Sequence, residues 1–292
     1  MPIDPDVAVG AELPEITFSW TPSDVALYHL GVGAAADPMD RAGLRYVDDT
    51  APKVLPTFAT VAATCHATEP PRVSFPGVDI DLAKVVHGTQ SVVVHRPLPA
   101  EGTATTRTRI AEVQDKGTAA VIVQESTTRD ESGEALWTAR SSIFARGEGG
   151  FGGDRGTSAR VDYPDRVPDQ RISVPTLPQQ ALLYRLSGDR NPLHSDPDFA
   201  AAAGFDRPIL HGLSTYGAVC RALVDDVLDG DTDAVAAYSA SFAGVVFPGE
   251  TLDVAVWREP AADGGEQLLV TASVADRGGA PALGNVVCSL VG

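Results

Sequence analysis

The sequence predicts an α+β fold made of two similar halves in a chain of 292 residues. Three observations lead to this prediction. A glycine- and proline-rich segment divides the chain near its middle, and the segments on either side of it resemble each other. Each half also contains one helix candidate followed by runs rich in β-branched residues. Such an order is typical of a curved antiparallel sheet that wraps around a helix.

The dividing segment begins with six glycines between Gly147 and Gly156 and continues with the proline-rich run VDYPDRVPDQRISVPTLP. This composition predicts an extended connector over 146–178, between an N-terminal domain at 1–145 and a C-terminal domain at 179–292. A phosphate-binding loop is the alternative. It is disfavoured because the Walker spacing with its Lys-Ser/Thr pair is missing, and GEGGFGG does not match GxGxxG after a strand.

The two halves share short stretches of sequence. Residues 28–31 align with 184–187, and LPTFATVAATC at 55–65 aligns with LHGLSTYGAVC at 210–220. Both eleven-residue segments end in cysteine, which favours a duplicated domain over a chance match of small residues.

Each half contains one dominant helix candidate. The segment Leu213–Leu228 has small and apolar residues on nearly all sides up to Asp225, which predicts a buried helix. Thr57–Ala67 occupies the equivalent place in the first half and is expected to form the corresponding helix.

Composition excludes several classes of function. Lys and Arg number 22 against 39 Asp and Glu, a net charge of −17, whereas nucleic acids and anionic membranes bind basic surfaces. No apolar run reaches the roughly 18 residues of a membrane-spanning helix, and the N-terminus lacks the features of a secretory signal. The three cysteines have no metal or redox spacing, so a reduced, cytoplasmic setting is expected.

The segment 184–217, YRLSGDRNPLHSDPDFAAAAGFDRPILHGLSTYG, concentrates the polar residues of interest. Asp189 and His194 are five residues apart, and a turn at Asn191-Pro192 can direct both into one cleft as an acid/base pair. Three alternatives stay open on spacing alone: a capped turn, a calcium loop of Asp and Asn oxygens, and a zinc site on two histidines that lacks a third ligand.

The run from Tyr184 to His194, YRLSGDRNPLH, together with the later PILHGLSTYG, resembles the signature of the R-specific, type-two enoyl-CoA hydratases of the MaoC-like family. The resemblance extends over the whole chain. It implies a double hot dog fold, in which two curved antiparallel sheets each wrap a long central helix.

The resemblance also implies the chemistry, which is hydration of a trans-2-enoyl-CoA to a (3R)-3-hydroxyacyl-CoA. Asp189 and His194 would bind the attacking water and exchange its protons, while Asn191 would orient the water or the carboxylate. The backbone N–H of Gly212, at the start of the buried helix, would donate to the thioester oxygen. The individual roles of Asp189 and His194 stay open, because two coupled groups titrate as a pair. His211 is expected either to line the site or to cap the helix.

Other matches to the family imply contacts with coenzyme A at His87-Gly88, at Lys116 and at Phe242. Arg45, Arg72 and Arg207 are weaker candidates for the remaining phosphates. The first half lacks the acid/base pair, because Gly31-Val32-Gly33 stands opposite Ser187-Gly188-Asp189. One active site per chain is therefore expected, with the first half forming a tunnel for a long, branched or ring-bearing acyl group.

Two other functions compete with hydration of a free coenzyme A ester in β-oxidation of fatty acids or sterol side chains. One is dehydration of a (3R)-hydroxyacyl group on an acyl carrier protein, and the other is non-catalytic binding of acyl thioesters. The hydration chemistry implies no metal and no cofactor, because coenzyme A is part of the substrate. A homodimer is possible for such a fold.

Overall fold

The computed structural model describes residues 3–157, 160–262 and 264–292. The α-helices of these residues are α1 (Pro5–Ala8), α2 (Pro22–Gly31), α3 (Arg41–Leu44), α4 (Gln180–Tyr184), α5 (Pro197–Ala202) and α6 (Gly212–Val227). The strands are β1 (Ile16–Trp20), β2 (Val73–Phe75), β3 (Val78–Ile80), β4 (Val85–Val94), β5 (Gly102–Asp115), β6 (Ala119–Asp130), β7 (Ala135–Arg146), β8 (Gln170–Pro175), β9 (Val235–Phe242), β10 (Thr251–Pro260), β11 (Glu266–Val274) and β12 (Ala280–Leu290). Short 3-10 helices cover Pro56–Thr60, Leu82–Lys84, Arg185–Ser187, Pro192–His194, Thr232–Ala234 and Ala275–Arg277.

Ten of these strands form one antiparallel sheet in the order β1-β5-β6-β7-β4-β9-β12-β11-β10-β8, within the part of the chain that the structure describes. The first five strands of this order belong to the first half of the chain and the last five to the second half. The α+β class and the antiparallel sheets predicted from sequence are therefore confirmed.

The two sheets join into one through β4 and β9, whose residues pair from Thr89 opposite Ser241 to Val93 opposite Ala237. The main hydrophobic core is also shared, because it includes Phe58 and Trp137 from the first half and Tyr216 and Leu223 from the second. The halves therefore pack as one unit, with residues of both available to a site at their junction.

The predicted central helix of the second half is confirmed as α6, which begins one residue earlier than expected and ends at Val227. Ten of its residues are buried, in agreement with its apolar and small composition. Asp229 and Gly230 beyond it have φ of +53° and +75°, the left-handed conformation that commonly ends a helix. None of the described helices is long and apolar enough to cross a membrane.

The prediction of a long central helix at Thr57–Ala67 in the first half is wrong. Only Pro56–Thr60 is helical, as a 3-10 helix, and turns and a loop follow it. Four of the first eight residues of the expected helix are threonine or valine, whose branched side chains lose rotamer freedom in a helix. The first half therefore covers its sheet with short pieces, namely α2, this 3-10 helix and the β2–β3 hairpin.

The interval 146–178, predicted as a connector, contains one strand. Residues 147–157 and 160–169 form neither helix nor strand, but β8 at Gln170–Pro175 pairs with β10 at the edge of the sheet. Ser158 and Ala159 lie outside the described residues.

Candidate active site

A cavity of about 550 Å³ lies between the two halves of the molecule. Its walls include the four predicted catalytic residues, Asp189, Asn191, His194 and Gly212, and two predicted substrate-binding residues, His87 and Phe242. Its other walls are formed by residues of both halves: Pro71, Arg72, Val73, Phe75, Leu82, Val85, Val86, Gln124, Ser141, Ile143, Arg146, Leu193, Ile209, Leu210, Leu213, Ala243, Gly244 and Val245. Asn191 and Gly212 thus share one cavity with the predicted acid/base pair.

Local turns present Asp189 and His194 to the cavity. Gly188 adopts φ +103° after the 3-10 helix Arg185–Ser187, and it reverses the chain just before Asp189. Asn191 caps the next 3-10 helix, because its Oδ1 accepts a hydrogen bond of 3.1 Å from the N–H of Leu193. Its own N–H donates to Asp189 Oδ1 over 3.2 Å, so the backbone of Asn191 orients the carboxylate.

The carboxylate of Asp189 and a ring nitrogen of His194 lie within 4.8 Å of each other. His194 Nδ1 lies 2.9 Å from the carbonyl oxygen of Ile209, which requires a proton on Nδ1 and leaves Nε2 as the acceptor in the neutral ring. Burial lowers the pKa of His194, and the nearby charge of Asp189 partly opposes this shift. The ring is therefore neutral at pH 7 and can accept a proton.

Asp189 supplies the third potential metal ligand that the sequence-based zinc site on His194 and His211 lacked, because one donor atom of each of these three residues lies within 4.8 Å of the others. The two imidazole rings are stacked, however, with centroids 3.7 Å apart and an interplanar angle of 29°. Lone pairs lie in the ring planes, so stacked rings direct them side by side and not toward one shared ion. This geometry favours the acid/base reading of the cluster over the zinc reading.

His211 itself is buried, with 1% of its surface exposed, and it is absent from the walls of the cavity. It occupies the N-cap position of α6 but makes no capping hydrogen bond with its side chain. Its Nε2 lies 3.3 Å from the backbone oxygen of Asp189, and its ring stacks on His194. His211 therefore contacts both members of the acid/base pair without lining the cavity. Burial and the neighbouring His194 hold the pKa of His211 well below its usual value.

Gly212 begins α6, and the backbone N–H groups of a first helical turn have no partner within the helix. Gly212 and Leu213, the first two residues of α6, line the cavity at the positive end of this helix of 16 residues. A Cβ on Gly212 would lie only 2.9 Å from the ring of Phe242, so glycine permits this ring to pack directly on the helix start. The pair forms one wall of the cavity.

His87 reaches the same cavity from β4 in the first half. The register between β4 and β7 shifts at Gly88, a β-bulge that redirects neighbouring side chains. The His87 ring lies 4.7 Å from the ring of Phe242, and its Nε2 is buried without a hydrogen-bond partner among the described residues. Burial lowers the pKa of His87 to about 4, which Asp189 partly counteracts. A neutral imidazole with an unpaired nitrogen thus lines the same cavity as the acid/base pair.

Two arginines line the cavity. Arg72 lines it as the sequence allowed, and Arg146, which sequence reasoning missed, lines it as well. Lys116 is not part of the cavity walls, because its Nζ binds the backbone oxygen of Arg155. It lies close to Arg146 nevertheless, since its N–H donates to Ala119, the residue paired with Arg146.

The two remaining arginine candidates are engaged elsewhere. Arg45 forms an ion pair with Asp225, and the guanidinium of Arg207 stacks over the ring of Phe247. Neither arginine lines the cavity.

The glycine-rich segment binds a carboxylate of its own chain. The N–H groups of Gly150 and Gly152 donate to Asp115 over 2.9 and 2.6 Å, and Gly117 donates over 2.7 Å. These bonds lower the pKa of Asp115 to about 2. Donors that could have cradled a phosphate are thus occupied by Asp115, which agrees with the rejection of that reading from sequence.

Comparison with known proteins identifies the family. The MaoC like domain matches residues 160–278, and the MFE-2 hydratase 2 N-terminal domain matches residues 18–147. Enoyl-CoA hydratase ChsH3 of Mycobacterium tuberculosis is 60% identical over 89% of this chain and 91% of its own length. The chain belongs to the MaoC-like, type-two enoyl-CoA hydratase family. The resemblance predicted from the segment 184–217 is confirmed, and the chain is an enzyme of the hydro-lyase class.

Solved structures place this hydratase-family chain in a known fold. A MaoC-like dehydratase from Phytophthora capsici matches with a TM-score of 0.81 and 31% identity over 97% of this chain and 96% of that one. A Mycobacterium tuberculosis protein described as a double hotdog fold matches with a TM-score of 0.56 and 14% identity, over 98% and 97% of the two chains. The predicted double hot dog fold is therefore confirmed, although within the described residues only the second half has a long central helix.

Proposed function

We propose that this enzyme hydrates trans-2-enoyl-CoA thioesters to (3R)-3-hydroxyacyl-CoA, in a reaction that is reversible. The observation that carries the proposal is the placement of Asp189 and His194 within 4.8 Å of each other in a cavity that also contains the start of α6. A water bound between carboxylate and imidazole can attack the β-carbon while the pair accepts one of its protons. The pair then returns a proton to the α-carbon from the same side.

His194 is suited to act as the proton acceptor. Its Nδ1–H is held by the Ile209 carbonyl, so the ring orientation is fixed and Nε2 is the nitrogen left to receive a proton. The lowered pKa of His194 keeps the ring unprotonated at neutral pH. The proton transfers are assigned to Asp189 and His194 together, because two coupled groups titrate as a pair.

The developing negative charge on the thioester oxygen requires a donor. The N–H of Gly212 lies at the positive end of α6, where a backbone donor typically contributes about 3 kcal/mol to the transition state. Asn191 acts by capping the turn that ends at His194 and by orienting Asp189 through its N–H.

Coenzyme A would bind beside the arginines that line the cavity. A polyanion approaching a chain of net charge −17 needs local positive charge, and Arg72 and Arg146 supply it with Lys116 near Arg146. His87 and Phe242 line the same cavity, with their rings 4.7 Å apart. An acidic carrier protein would have to dock on a chain of net charge −17, so a free coenzyme A ester is the favoured substrate.

The acyl group would occupy the apolar part of the cavity. The first half contributes an apolar lining of Val73, Phe75, Leu82, Val85 and Ile143, and its described residues contain no long central helix. A volume of about 550 Å³ is typical of pockets that bury a sizeable ligand. Both features support acyl groups that are long, branched or ring-bearing. The cytoplasmic location and the homodimer stay predictions.

The proposal is tested by following the ultraviolet band of the conjugated thioester with crotonyl-CoA and a series of longer enoyl-CoA esters. Asp189→Asn is expected to reduce kcat by about 10²-fold or more, because the pair loses an ionisable member. Asp198→Asn is the matched control, since Asp198 is exposed, belongs to the same segment and is not part of the cavity walls. Chiral analysis of the product should give the R isomer.

Other outcomes would redirect the proposal. If the wild-type enzyme hydrated no coenzyme A ester but dehydrated a hydroxyacyl carrier protein, the carrier-protein reading would replace it. Full turnover by Asp189→Asn would remove Asp189 from the mechanism and revive a binding role for the segment.

A further inference from the structure

His211 contacts the acid/base pair without reaching the cavity. Its ring stacks on His194 with a centroid separation of 3.7 Å, and it also contacts the ring of Tyr184 at 4.8 Å. With 1% of its surface exposed and no share of the cavity walls, it is poorly placed to touch substrate.

The hydrogen bond of His211 fixes the loop that carries Asp189. Nε2 lies 3.3 Å from the Asp189 backbone oxygen, and only a protonated nitrogen can bind an oxygen that solely accepts. The proton therefore sits on Nε2, and Nδ1 is buried without a hydrogen-bond partner among the described residues. A substitution that removes the His211 imidazole leaves the backbone carbonyl of Asp189 without this hydrogen bond.

The position of His211 in the chain adds a third connection. It is the residue directly before Gly212, so its backbone fixes the start of α6 where the expected oxyanion donor lies. One buried ring thus contacts the imidazole, holds the backbone of the carboxylate and precedes the donor, which are the three parts of the proposed site.

We infer that His211 is a positioning residue that holds Asp189 and His194 in their reacting geometry, and not a ligand of the substrate. The inference rests on the proposed function of the site. A displacement of about 1 Å in a catalytic group can reduce turnover by about 10²-fold. His211→Ala removes both the stacking and the hydrogen bond, whereas His211→Phe keeps a planar ring against His194 and removes only the hydrogen bond.

The kinetic test compares these two variants with His95→Ala, a matched control at an exposed histidine outside the cavity walls. We expect kcat to fall about 10²-fold in His211→Ala and about 10-fold in His211→Phe, with KM for an enoyl-CoA within about 2-fold of the wild-type value. A KM that rises while kcat stays constant would overturn the inference, because it would make His211 a substrate ligand.

A titration of the histidine ring signals by NMR tests the same inference without turnover. The ionisable groups beside the stacked rings are Asp189 from the loop, Arg185 from the preceding 3-10 helix and Tyr184 from α4. His87 of β4 interacts with Asp189. Because burial is the main cause of the low pKa of His194, exposing its ring in His211→Ala should raise its titration midpoint, while His211→Phe should leave it low.

The NMR result separates the inference from the proposed function. If the wild-type enzyme hydrated no thioester, the proposed function would fail, and the His194 midpoint would still decide whether His211 holds the ring in place. A His194 midpoint equal to that of the wild type in folded His211→Ala would overturn the inference, as would unchanged kcat in both variants.

Discussion

Replacing Gly188 by alanine should show how the position of the catalytic loop affects turnover, separately from its effect on the stability of the fold. A Cβ on Gly188 would lie 1.9 Å from the backbone oxygen of Thr64 and 2.7 Å from its carbonyl carbon. Cβ atoms in proteins are not found closer than 3.0 Å to such atoms, so the loop or Thr64 must move by at least about 1.1 Å. Both partners are backbone, and no flexible side chain can absorb the shift.

This displacement falls on the residue next to Asp189. Misplacing a reacting group by about 1 Å can reduce turnover by about 10²-fold, so we expect kcat of Gly188→Ala for an enoyl-CoA to fall by that order. The variant also places a side chain at φ +103°, which costs roughly 1–3 kcal/mol of stability. The assay follows loss of the enoyl thioester absorbance, with the free energy of unfolding measured on the same samples.

Gly204→Ala is the control that isolates the backbone strain. Gly204 has a similar φ of +87°, but no described heavy atom lies within 4 Å of an added Cβ. Its variant should lose a comparable part of the stability and keep its kcat. If Gly188→Ala kept kcat within about 2-fold of the wild type, the steric docking of the loop on Thr64 would not position Asp189 and the reasoning would be refuted.

Two further predictions concern the start of α6 and the buried histidine of α2. Gly212→Ala should lower kcat/KM by about 10²-fold, because its Cβ would lie 2.9 Å from the Phe242 ring, beside the expected oxyanion donor. Adding Phe242→Leu to this variant should recover part of the loss in the same assay. Burial lowers the pKa of His29 to about 4 in the folded protein. As the pH drops from about 6.5, the unfolded chain therefore binds a proton on His29 before the folded chain does. The free energy of unfolding should fall between about pH 6.5 and about pH 4, by at most roughly 3 kcal/mol. His29→Gln should make this pH dependence of denaturant unfolding shallower by about one proton, and an unchanged slope would contradict the prediction.

The sequence determines the family and the local chemistry of the second half. Asp189, Asn191 and His194 lie within six residues, so one turn suffices to bring them together, and short-range geometry of this kind can be predicted from residue types. Helix α6 was also predictable within one residue, because its small and apolar residues extend over its whole length. The same pattern failed at Thr57–Ala67, where the stretch is shorter and rich in branched residues.

Tertiary structure decides what depends on pairing between distant segments. His87 lines the same cavity as Asp189 because β4 pairs with β9 across the two halves, more than a hundred residues apart in sequence. His211 lies behind the acid/base pair and not in the cavity, and Arg146 lines the cavity while Lys116 binds a backbone oxygen of its own chain. Residue types fix which groups can move protons or bind phosphate, but only packing between the halves fixes which of them face the same space, since burial and orientation arise from contacts that no local pattern encodes.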